Sequence, residues 1–317
     1  MKELGKKKVM ITGAAGFIGS HLVDQVIRMG AGVVAVDNLS SGSWTNLSRV
    51  QGNMEKVEGD VRDVAFIGRL MKRVKPDSVF HLAGSASVPR SVEEPLYDFE
   101  NNCLGTVNVL EAVRVNVPRA RVVFSSSGAV YGEPGLKKID EALLPNPISP
   151  YGASKVAAET ECMLYNRVYG VDVVIARVFN TYGQRMTRFA ALDFLKKLRQ
   201  DPEHLEVMGN GDQVRDFNYV ADTVRGLLVL ESKGVAGKLY NLASGESRSV
   251  RDLAVILLRV LGREKCVAMT FTGSSWPGDA QYWDVDISRI KLLGYEPGVR
   301  MEQGLSQLVE WFNQEVQ

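Results

Sequence analysis

Two parts of the chain differ in how apolar and polar positions alternate. Up to about residue 180, short apolar runs rich in Val and Ile alternate with stretches in which apolar residues recur at helical spacing. Such runs are typical of parallel strands that helices cover on both faces. The pattern predicts an α/β fold with a doubly wound parallel sheet. Its strands are expected at residues 9–11, 33–36, 56–58, 78–81, 121–125 and 173–177, and its helices at 17–29, 64–74, 96–116 and 154–169.

Beyond residue 180 the regular alternation is lost. Helical patterns near residues 189–199 and 250–261 are joined by longer, glycine-rich connections, which indicates a second, smaller α/β domain. Open α/β sheets bind ligands at the carboxyl ends of their strands, so we expect this domain to close over that edge and to bind the substrate. Residues 238–243, KLYNLA, have the pattern of one more strand of the first sheet. The predicted domains are residues 1–180, which take back this strand, and residues 181–317.

The stretch from Lys8 to Gly19, KVMITGAAGFIG, has the pattern of a buried strand, a glycine turn and the start of a helix. Gly13, Gly16 and Gly19 follow the strand at a spacing of three. The first permits a tight turn, the second lets backbone N–H groups approach a pyrophosphate, and the third lets the next helix pack closely. That helix begins near Phe17 and points its positive end at the phosphates. The stretch predicts the dinucleotide-binding turn of a Rossmann domain.

A candidate ribose-binding acid follows the second predicted strand. The apolar run at residues 32–36 ends in Asp37, at about the 20-residue distance from the glycines that dinucleotide-binding folds use. A carboxylate there can hold both hydroxyls of an adenosine ribose and would repel a 2′-phosphate. We therefore predict NAD rather than NADP as the cofactor. The alternative is that Asp37 caps a turn together with Asn38.

Candidate catalytic residues lie in FSSSGAVYG at residues 124–132 and PYGASK at residues 150–155. Tyr151 and Lys155 are four residues apart, which places both on one face of a helix. Because a free tyrosine loses its proton at about pH 10, it is a useful base only beside a cation, which Lys155 and a nicotinamide ring would supply. With Ser127 holding the same substrate oxygen, the set can take a proton from an alcohol while hydride leaves its carbon. A YxxxK pair alone is typical of an exposed helix face, but its order after the glycine turn and the acid favours a site.

Composition excludes several classes of function. The chain is 45% hydrophobic and 24% charged with a net charge of +1, which gives no reason to expect a nucleic-acid partner. No apolar run approaches the length of about 18 residues that a membrane span needs. The three cysteines and three histidines lack the spacing of metal ligands, and the cysteines are too scattered for a disulfide framework. We expect no metal, no membrane partner and a cytoplasmic location.

Taken together, these motifs resemble the extended short-chain dehydrogenase/reductase family, and within it the nucleotide-sugar epimerases and dehydratases of the type of UDP-galactose 4-epimerase. The resemblance covers nearly the whole chain. It rests on TGAAGFIGSHL at 12–22, VDNLSSG at 36–42, GDVRD at 59–63, HLAG at 81–84, NCLGT at 102–106, SPYGASK at 149–155, RVFNTYG at 177–183 and GDQVRDFNYV at 211–220.

The resemblance implies the contact residues. Asp60 and Val61 would lie against the adenine, and Arg215 would donate to the diphosphate of a nucleotide sugar. The residues implied for NAD are Gly13, Gly16, Phe17, Ile18, Gly19, Asp37, Asn38, Ser41, Gly42, Asp60, Val61, Leu82, Ala83, Gly84, Asn102, Ser125, Tyr151, Lys155 and Val178. Those implied for the sugar nucleotide are Ser87, Ser127, Tyr151, Phe179, Asn180, Arg215 and Asp279.

Three reactions are compatible with the resemblance: 4-epimerisation, 4,6-dehydration and the oxidative decarboxylation of a UDP-glucuronate. Dehydratases of the family resemble a Thr-Asp-Glu-Val-Tyr-Gly pattern and decarboxylases a Thr-Ser-Glu-Val-Tyr-Gly pattern, each with an acid beside the sugar. This sequence has Ser127-Gly128-Ala129 before Val130-Tyr131-Gly132. The acid is absent, so we predict an epimerase. The other two reactions, with an acid supplied from elsewhere, remain alternatives.

The sugar is less well determined by the sequence. The segment SVPRS at residues 87–91 resembles UDP-N-acetylhexosamine epimerases, and RVFNTYGQRM resembles UDP-glucuronate enzymes. Trp283 favours a smaller sugar, because a bulky residue shortly after the matching Gly278-Asp279 excludes an N-acetyl group in relatives. UDP-glucose or UDP-galactose ranks first. Relatives commonly carry Arg where this chain has Trp276, so either Arg185 replaces that contact or the nucleotide sits differently.

The resemblance also implies a homodimer. Helices at residues 96–116 and 154–169 pair with their copies in relatives, and Ala157-Ala158 would allow close approach. The alternative is that their apolar residues face the sheet of the same chain. A binding protein that has lost catalysis would usually lack the tyrosine or the lysine, and both are present.

Overall fold

A computed structural model describes residues 4–274 and 280–315. Its centre is a seven-stranded parallel sheet, as the apolar runs predict. The strands of this sheet are β1 (Lys8–Thr12), β2 (Gly32–Asp37), β3 (Met54–Glu58), β4 (Ser78–His81), β5 (Arg121–Ser127), β7 (Val173–Val178) and β11 (Leu239–Leu242). The shorter strands are β6 (Lys138–Ile139), β8 (Asn180–Tyr182), β9 (His204–Val207), β10 (Val214–Tyr219), β12 (Ser247–Ser249), β13 (Ala268–Phe271) and β14 (Asp284–Val285).

Helices cover both faces of the central sheet. The helices of the described residues, not all of which cover this sheet, are α1 (Phe17–Arg28), α2 (Val64–Val74), α3 (Val88–Glu93), α4 (Pro95–Phe99), α5 (Gly105–Asn116), α6 (Pro150–Tyr169), α7 (Ala190–Gln200), α8 (Val220–Lys233), α9 (Val250–Val260), α10 (Ser288–Lys291) and α11 (Met301–Glu315). Successive strand residues point to opposite faces, so Val9 and Ile11 pack towards α1 and α8 while Met10 packs towards α2, α5 and α6.

Strand order places the ligand crevice. The order is β11-β7-β5-β4-β1-β2-β3, so the chain builds outward from β1 on one side and from β4 on the other. Ligands of open α/β sheets bind where the direction of building reverses, at the carboxyl ends of the strands. The loops after β1 and β4 are therefore expected to form the floor of a site, and both carry motifs that the sequence singles out.

The helix expected at residues 96–116 is interrupted. A wider π-helical turn at Glu100–Leu104 separates α4 from α5. Gly105 lies against Val61, so that an added Cβ would approach the Val61 Cγ2 atom to 2.8 Å. The bulge turns Asn101 and Asn102 into the protein interior, where both are buried. Bulges of this kind are frequent at functional sites.

The rest of the chain forms three small sheets and a third apolar core. The sheets are β12-β10-β8, β13-β9 and β14-β6, and the core packs α7, α9 and α11 together. The strand expected at residues 238–243 forms as β11, whose Leu239 lies opposite Ile175 of β7. The division of the chain into domains at residue 180 stays a prediction. Within the described ranges, no helix has the length and apolarity to cross a bilayer.

Candidate active site

A cleft of about 1040 Å³ lies over the carboxyl ends of the central strands, between the sheet and the C-terminal region. Most of the residues expected to contact ligands line it. They are Gly13, Gly16, Phe17, Ile18, Gly19, Asp37, Asn38, Ser41, Val61, Leu82, Ala83, Gly84, Ser87, Ser125, Ser127, Tyr151, Lys155, Val178, Phe179, Asn180 and Arg215. Asp279 lies outside the described residues, as do Trp276 and Gly278.

Three expected cofactor residues lie one layer behind the cleft surface. Gly42 packs on the glycine turn, where an added Cβ would meet the Ala15 carbonyl carbon at 2.8 Å. Asp60 accepts hydrogen bonds from Arg62 and from Asn38. Asn102 is fully buried, and its Oδ1 atom has no hydrogen-bond donor among the described residues. These three residues therefore support the residues that line the cleft and do not line it themselves.

The glycine turn joins the two central strands. Gly13 has a φ of +70°, and a Cβ on it would come within 2.8 Å of the backbone of Leu82 and Ala83, which follow β4. Gly16 is the N-cap of α1 and has no side chain to cap the helix. The first backbone N–H groups of α1 are therefore left for a ligand. A dinucleotide pyrophosphate fits this arrangement.

Asp37 caps a turn and is also placed to bind a ribose, the two roles that the sequence suggests for it. One carboxylate oxygen accepts from the backbone N–H of Leu39 at 2.8 Å, which caps the turn, and the other accepts from Ala15 of the glycine turn at 2.9 Å. Burial raises the pKa of this carboxyl above its usual value. Its remaining lone pairs lie at the carboxyl end of β2, where a ribose of NAD would place its hydroxyls.

Strand β5 and helix α6 bring the catalytic candidates together. Ser149 caps α6 by accepting from Gly152 N–H, which places Tyr151 in the first turn. Tyr151 and Ser127, the last residue of β5, line the same cleft, and Lys155 donates to the Ser125 carbonyl oxygen at 3.0 Å. The intervening Ser126 is buried.

A buried ion pair fixes the end of β5. Ser126 donates to Glu159 at 2.5 Å, and Glu159 accepts two hydrogen bonds from Arg177 at 2.6 and 2.9 Å. All three residues are buried. Because this network holds Ser126 from below, its neighbours Ser125 and Ser127 keep their places at the cleft surface.

The charges around Tyr151 differ from the expectation. Burial raises the pKa of Tyr151 above its usual value of 10.0, and Asp98 acts in the same direction, while Ser127 and Arg188 act to lower it. Burial lowers the pKa of Lys155 to about 8, against the charge of Asp98. We expected Lys155 to be the cation that lowers the pKa of Tyr151. Among the described residues, Arg188 is the cation whose charge acts in that direction, and the role of Lys155 beside Tyr151 stays a prediction.

Sequence reasoning missed Asp98 and Arg188. Asp98 is only 1% exposed, and its Oδ2 atom accepts from Ser154 at 2.6 Å and from Asn102 at 3.0 Å. Nothing in the local sequence distinguishes Asp98 from a surface acid of a helix, and Arg188 lies in a loop with no motif. Only the tertiary fold brings their charges to Tyr151.

The opposite wall of the cleft is aromatic and basic. Trp283 donates from Nε1 to the Gly132 carbonyl oxygen at 2.9 Å and meets the Phe179 ring edge to face at 5.6 Å. Buried Arg215 lies 5.1 Å from the Trp283 ring and donates to the carbonyl oxygens of Val214 and Ala280. These contacts fix Trp283 as a wall of the cleft.

Other polar groups on this side differ in their availability. Asn180 Oδ1 is buried and has no hydrogen-bond donor in the described part of the chain, so it is free to accept one from a ligand. Ser87 accepts from Arg90 N–H as the N-cap of α3. Arg185 forms an ion pair with Asp24 of α1 at 2.8 Å, so its guanidinium is engaged away from the diphosphate.

Comparison with known proteins identifies the family. Residues 10–308 match the family model described as GDP-mannose 4,6 dehydratase. The UDP-glucose 4-epimerase of Mycolicibacterium smegmatis is 33% identical over 98% of this chain and 100% of its own, and UDP-glucuronic acid decarboxylase 1 of Xenopus tropicalis is 34% identical over 100% of this chain and 75% of its own.

Solved structures agree with these matches. The UDP-glucose 4-epimerase of Thermotoga maritima, solved with UDP-glucose, superposes with a TM-score of 0.90 at 34% identity and covers 98% of this chain and 100% of its own. The Thermus thermophilus UDP-glucose 4-epimerase complex with NAD superposes with a TM-score of 0.88 at 30% identity over 98% of this chain and 100% of its own. The chain belongs to the GDP-mannose 4,6 dehydratase family of extended short-chain dehydrogenases/reductases, whose members are NAD-dependent nucleotide-sugar epimerases, dehydratases and decarboxylases.

Proposed function

We propose that this protein is a 4-epimerase of a UDP-sugar, with UDP-glucose and UDP-galactose as the favoured pair. The supporting observation is a tyrosine base without a second acid beside it. Of the described acids, Asp98 is the one whose charge acts on Tyr151. Asp98 is buried and is not among the residues that line the cleft, and its Oδ2 atom accepts from Ser154 and Asn102, so it is poorly placed to protonate a sugar hydroxyl. Dehydration needs such an acid to expel the hydroxyl at C6.

The residues would act as follows. Tyr151 takes the proton of the C4 hydroxyl, and Ser127 holds the same oxygen by a hydrogen bond. Lys155 has a pKa of about 8, which leaves it mainly protonated at neutral pH, and its positive charge lies on the same side of the cleft as Tyr151. NAD, when bound, supplies the hydride acceptor and returns the hydride to the sugar. After the 4-keto sugar has rotated to present its other face, Tyr151 returns its proton to the C4 oxygen, which completes the opposite C4 epimer.

The choice of sugar rests on the fixed aromatic wall. Trp283 is held by Gly132 and Phe179, which leaves it little freedom to move aside for an N-acetyl group. Similar chains named UDP-glucose 4-epimerase support a neutral hexose. A UDP-N-acetylglucosamine 4-epimerase and a UDP-glucuronic acid decarboxylase are also among the similar proteins, so the test includes their sugars.

Proton NMR of the purified protein with UDP-glucose, UDP-N-acetylglucosamine and UDP-glucuronate, each in a separate tube, tests the proposal. We expect a new C4 epimer of unchanged mass from UDP-glucose. Tyr151→Phe should abolish the reaction while NAD stays bound, because the cofactor groove is otherwise intact. Loss of water or carbon dioxide from the product, or full activity of Tyr151→Phe, would contradict the proposal.

We propose a homodimer through the faces of α4, α5 and α6. Apolar side chains are exposed on these helices, including Leu96, Leu164 and Val168. Ala158, which we expected at the contact, is instead fully buried against the sheet, so it cannot approach a partner. Light scattering should give twice the mass of the chain, and a strict monomer would refute the dimer.

A further inference from the structure

A short turn at Gly128–Tyr131 follows strand β5 and contributes to the wall of the cleft. Ser127 caps the turn by accepting from the backbone N–H of Ala129 at 3.1 Å, and both residues line the cleft. Gly128 lies between them and is buried. An added Cβ at Gly128 would lie 2.6 Å from Cε1 and 2.7 Å from Cδ1 of the Phe179 ring. The position directly after Ser127 therefore has room for a side chain only if the ring or the turn moves.

Phe179 is held by its backbone and by two neighbouring rings. Its N–H group donates to the Leu242 carbonyl oxygen of β11 at 3.1 Å. Tyr131 stacks on the Phe179 ring, with centroids 6.2 Å apart and planes at 22°, and the Trp283 ring meets it edge to face at 5.6 Å. Phe179 is only 4% exposed. A displaced Phe179 ring would therefore have to displace Tyr131 or Trp283 as well.

Both neighbouring rings are fixed by contacts of their own. Tyr131 is 1% exposed, its hydroxyl donates to Asn241 Oδ1 at 2.7 Å, and the Arg177 guanidinium lies 4.6 Å from its ring. Trp283 donates from Nε1 to the Gly132 carbonyl oxygen at 2.9 Å. Overfilling such a site lowers stability, because closely packed side chains have no free volume to move into.

The turn cannot recede from the ring either. Helix α6 lies behind it, and an added Cβ at Gly152 would be 2.6 Å from the Ala129 carbonyl oxygen, so the backbones of the turn and of the helix are already in close contact. Val130 is fully buried, and its carbonyl oxygen accepts from the backbone N–H of Asn146 at 3.0 Å. The turn is therefore held between α6 and Phe179.

We propose that Phe179 is a specificity-determining residue: its ring occupies the volume that a side chain at position 128 would need, and so excludes an acid from the wall beside Ser127. The inference rests on the proposed function, which requires a base without a second acid beside it. It adds a physical reason why this part of the wall carries no acid. The next position differs, because Ala129 is half-buried and its side chain lines the cleft.

The first measurement is a double-mutant cycle on thermal unfolding of the NAD-bound protein. Gly128→Asp and its neutral isostere Gly128→Asn should each lower the unfolding midpoint by about 4 °C, the shift that overfilling a packed site produces. In a Phe179→Ala background, where the volume is open, both should leave the midpoint nearly unchanged. Ala129→Asp is the matched control: it adds the same acid to the same turn, and its effect should be equal in both backgrounds.

Equal penalties with and without Phe179 would overturn the inference, because they would show that the backbone of the turn excludes the side chain. A penalty for Gly128→Asp without one for Gly128→Asn would also overturn it, because charge and not volume would then be the cause. Gly128→Ala, which adds only the Cβ, replaces the larger variants if these do not fold.

The second measurement is the affinity of the NAD-bound protein for UDP-glucose relative to UDP, since this ratio reports on the sugar and not on the diphosphate. In the Phe179→Ala background, Gly128→Asp places a carboxylate beside the sugar. The ratio should then change by about threefold between about pH 4 and 7, the equivalent of one hydrogen bond gained or lost as the acid titrates. Gly128→Asn in the same background should show no such change. Identical pH dependence of the two variants would reject the role in specificity.

The unfolding cycle requires neither turnover nor substrate, so it separates this inference from the proposed function. If the parent protein epimerises none of the sugars while the penalties still depend on Phe179, the proposed function fails and the exclusion stands. If the parent epimerises UDP-glucose while the penalties are independent of Phe179, the exclusion alone is rejected.

Discussion

Lys155 should lower the free energy of unfolding of this protein at neutral pH, and the variant Lys155→Met tests this prediction. Burial lowers the pKa of Lys155 from 10.5 to about 8, so the folded protein holds a charge that it disfavours at neutral pH. At about 1.4 kcal/mol for each pKa unit, the penalty is about 3 kcal/mol. The lost hydrogen bond to the Ser125 carbonyl oxygen costs about 1 kcal/mol. The variant should therefore be more stable by about 2 kcal/mol at pH 7, and inactive.

The pH dependence distinguishes this cause from better packing. Between about pH 8 and 10.5 the unfolded lysine keeps its proton and the folded one does not, so the stability of the parent rises towards that of the variant. Urea unfolding of both proteins, stripped of NAD because a ligand of the folded state would add to stability, measures the difference at each pH. Lys72→Met, at an exposed lysine of α2, is the control. A variant that is no more stable at pH 7, or a pH-independent advantage, would refute the reasoning.

Two further substitutions test the glycine turn and the aromatic wall. Gly13→Ala should lose about 2 kcal/mol or more and fail to retain NAD, because its Cβ would meet the backbone of Leu82 and Ala83 and its φ is positive. Gly68→Ala, in the open interior of α2, is the control for Gly13→Ala, and in thermal unfolding of both variants it should gain about 0.5–1 kcal/mol of stability. Trp283→Ala should raise kcat/KM for UDP-N-acetylglucosamine relative to UDP-glucose by about tenfold; an unchanged ratio would place the sugar elsewhere.

Local sequence pattern was sufficient for most of the central sheet. Helix α2 and strand β4 begin and end at the predicted residues, because the Asp63 cap and the apolar spacing are local signals. Tyr151, Lys155 and Ser127 line one cleft, because the helical spacing and the end of β5 bring them there, while their catalytic roles stay a prediction. Strand β5 continues two residues further than predicted and ends at Ser127.

Features that depend on distant contacts were not predictable. The π-helical turn between α4 and α5 keeps an apolar pattern that a regular helix would share, and it depends on the approach of Gly105 to Val61. Ala158 was expected to contact a partner, but the rotation of α6 turns it towards the sheet. Arg188 lines the cleft on a loop whose first residue, Gln184, is hydrogen-bonded to His21 of α1, a contact that no local pattern predicts.

The position of β11 has a consequence for how this protein is made. Its residues pair with β7, yet the chain crosses the whole of β8, α7, β9, β10 and α8 before they are synthesised. Until Leu242 leaves the ribosome, β7 is an unpaired edge strand of a largely apolar sheet. Its free backbone N–H and C=O groups can then pair with a strand of another chain. A fragment that stops near residue 180 should therefore aggregate rather than bind NAD. Residue 242 is therefore the earliest point in the chain at which all seven strands of the nucleotide-binding sheet are present.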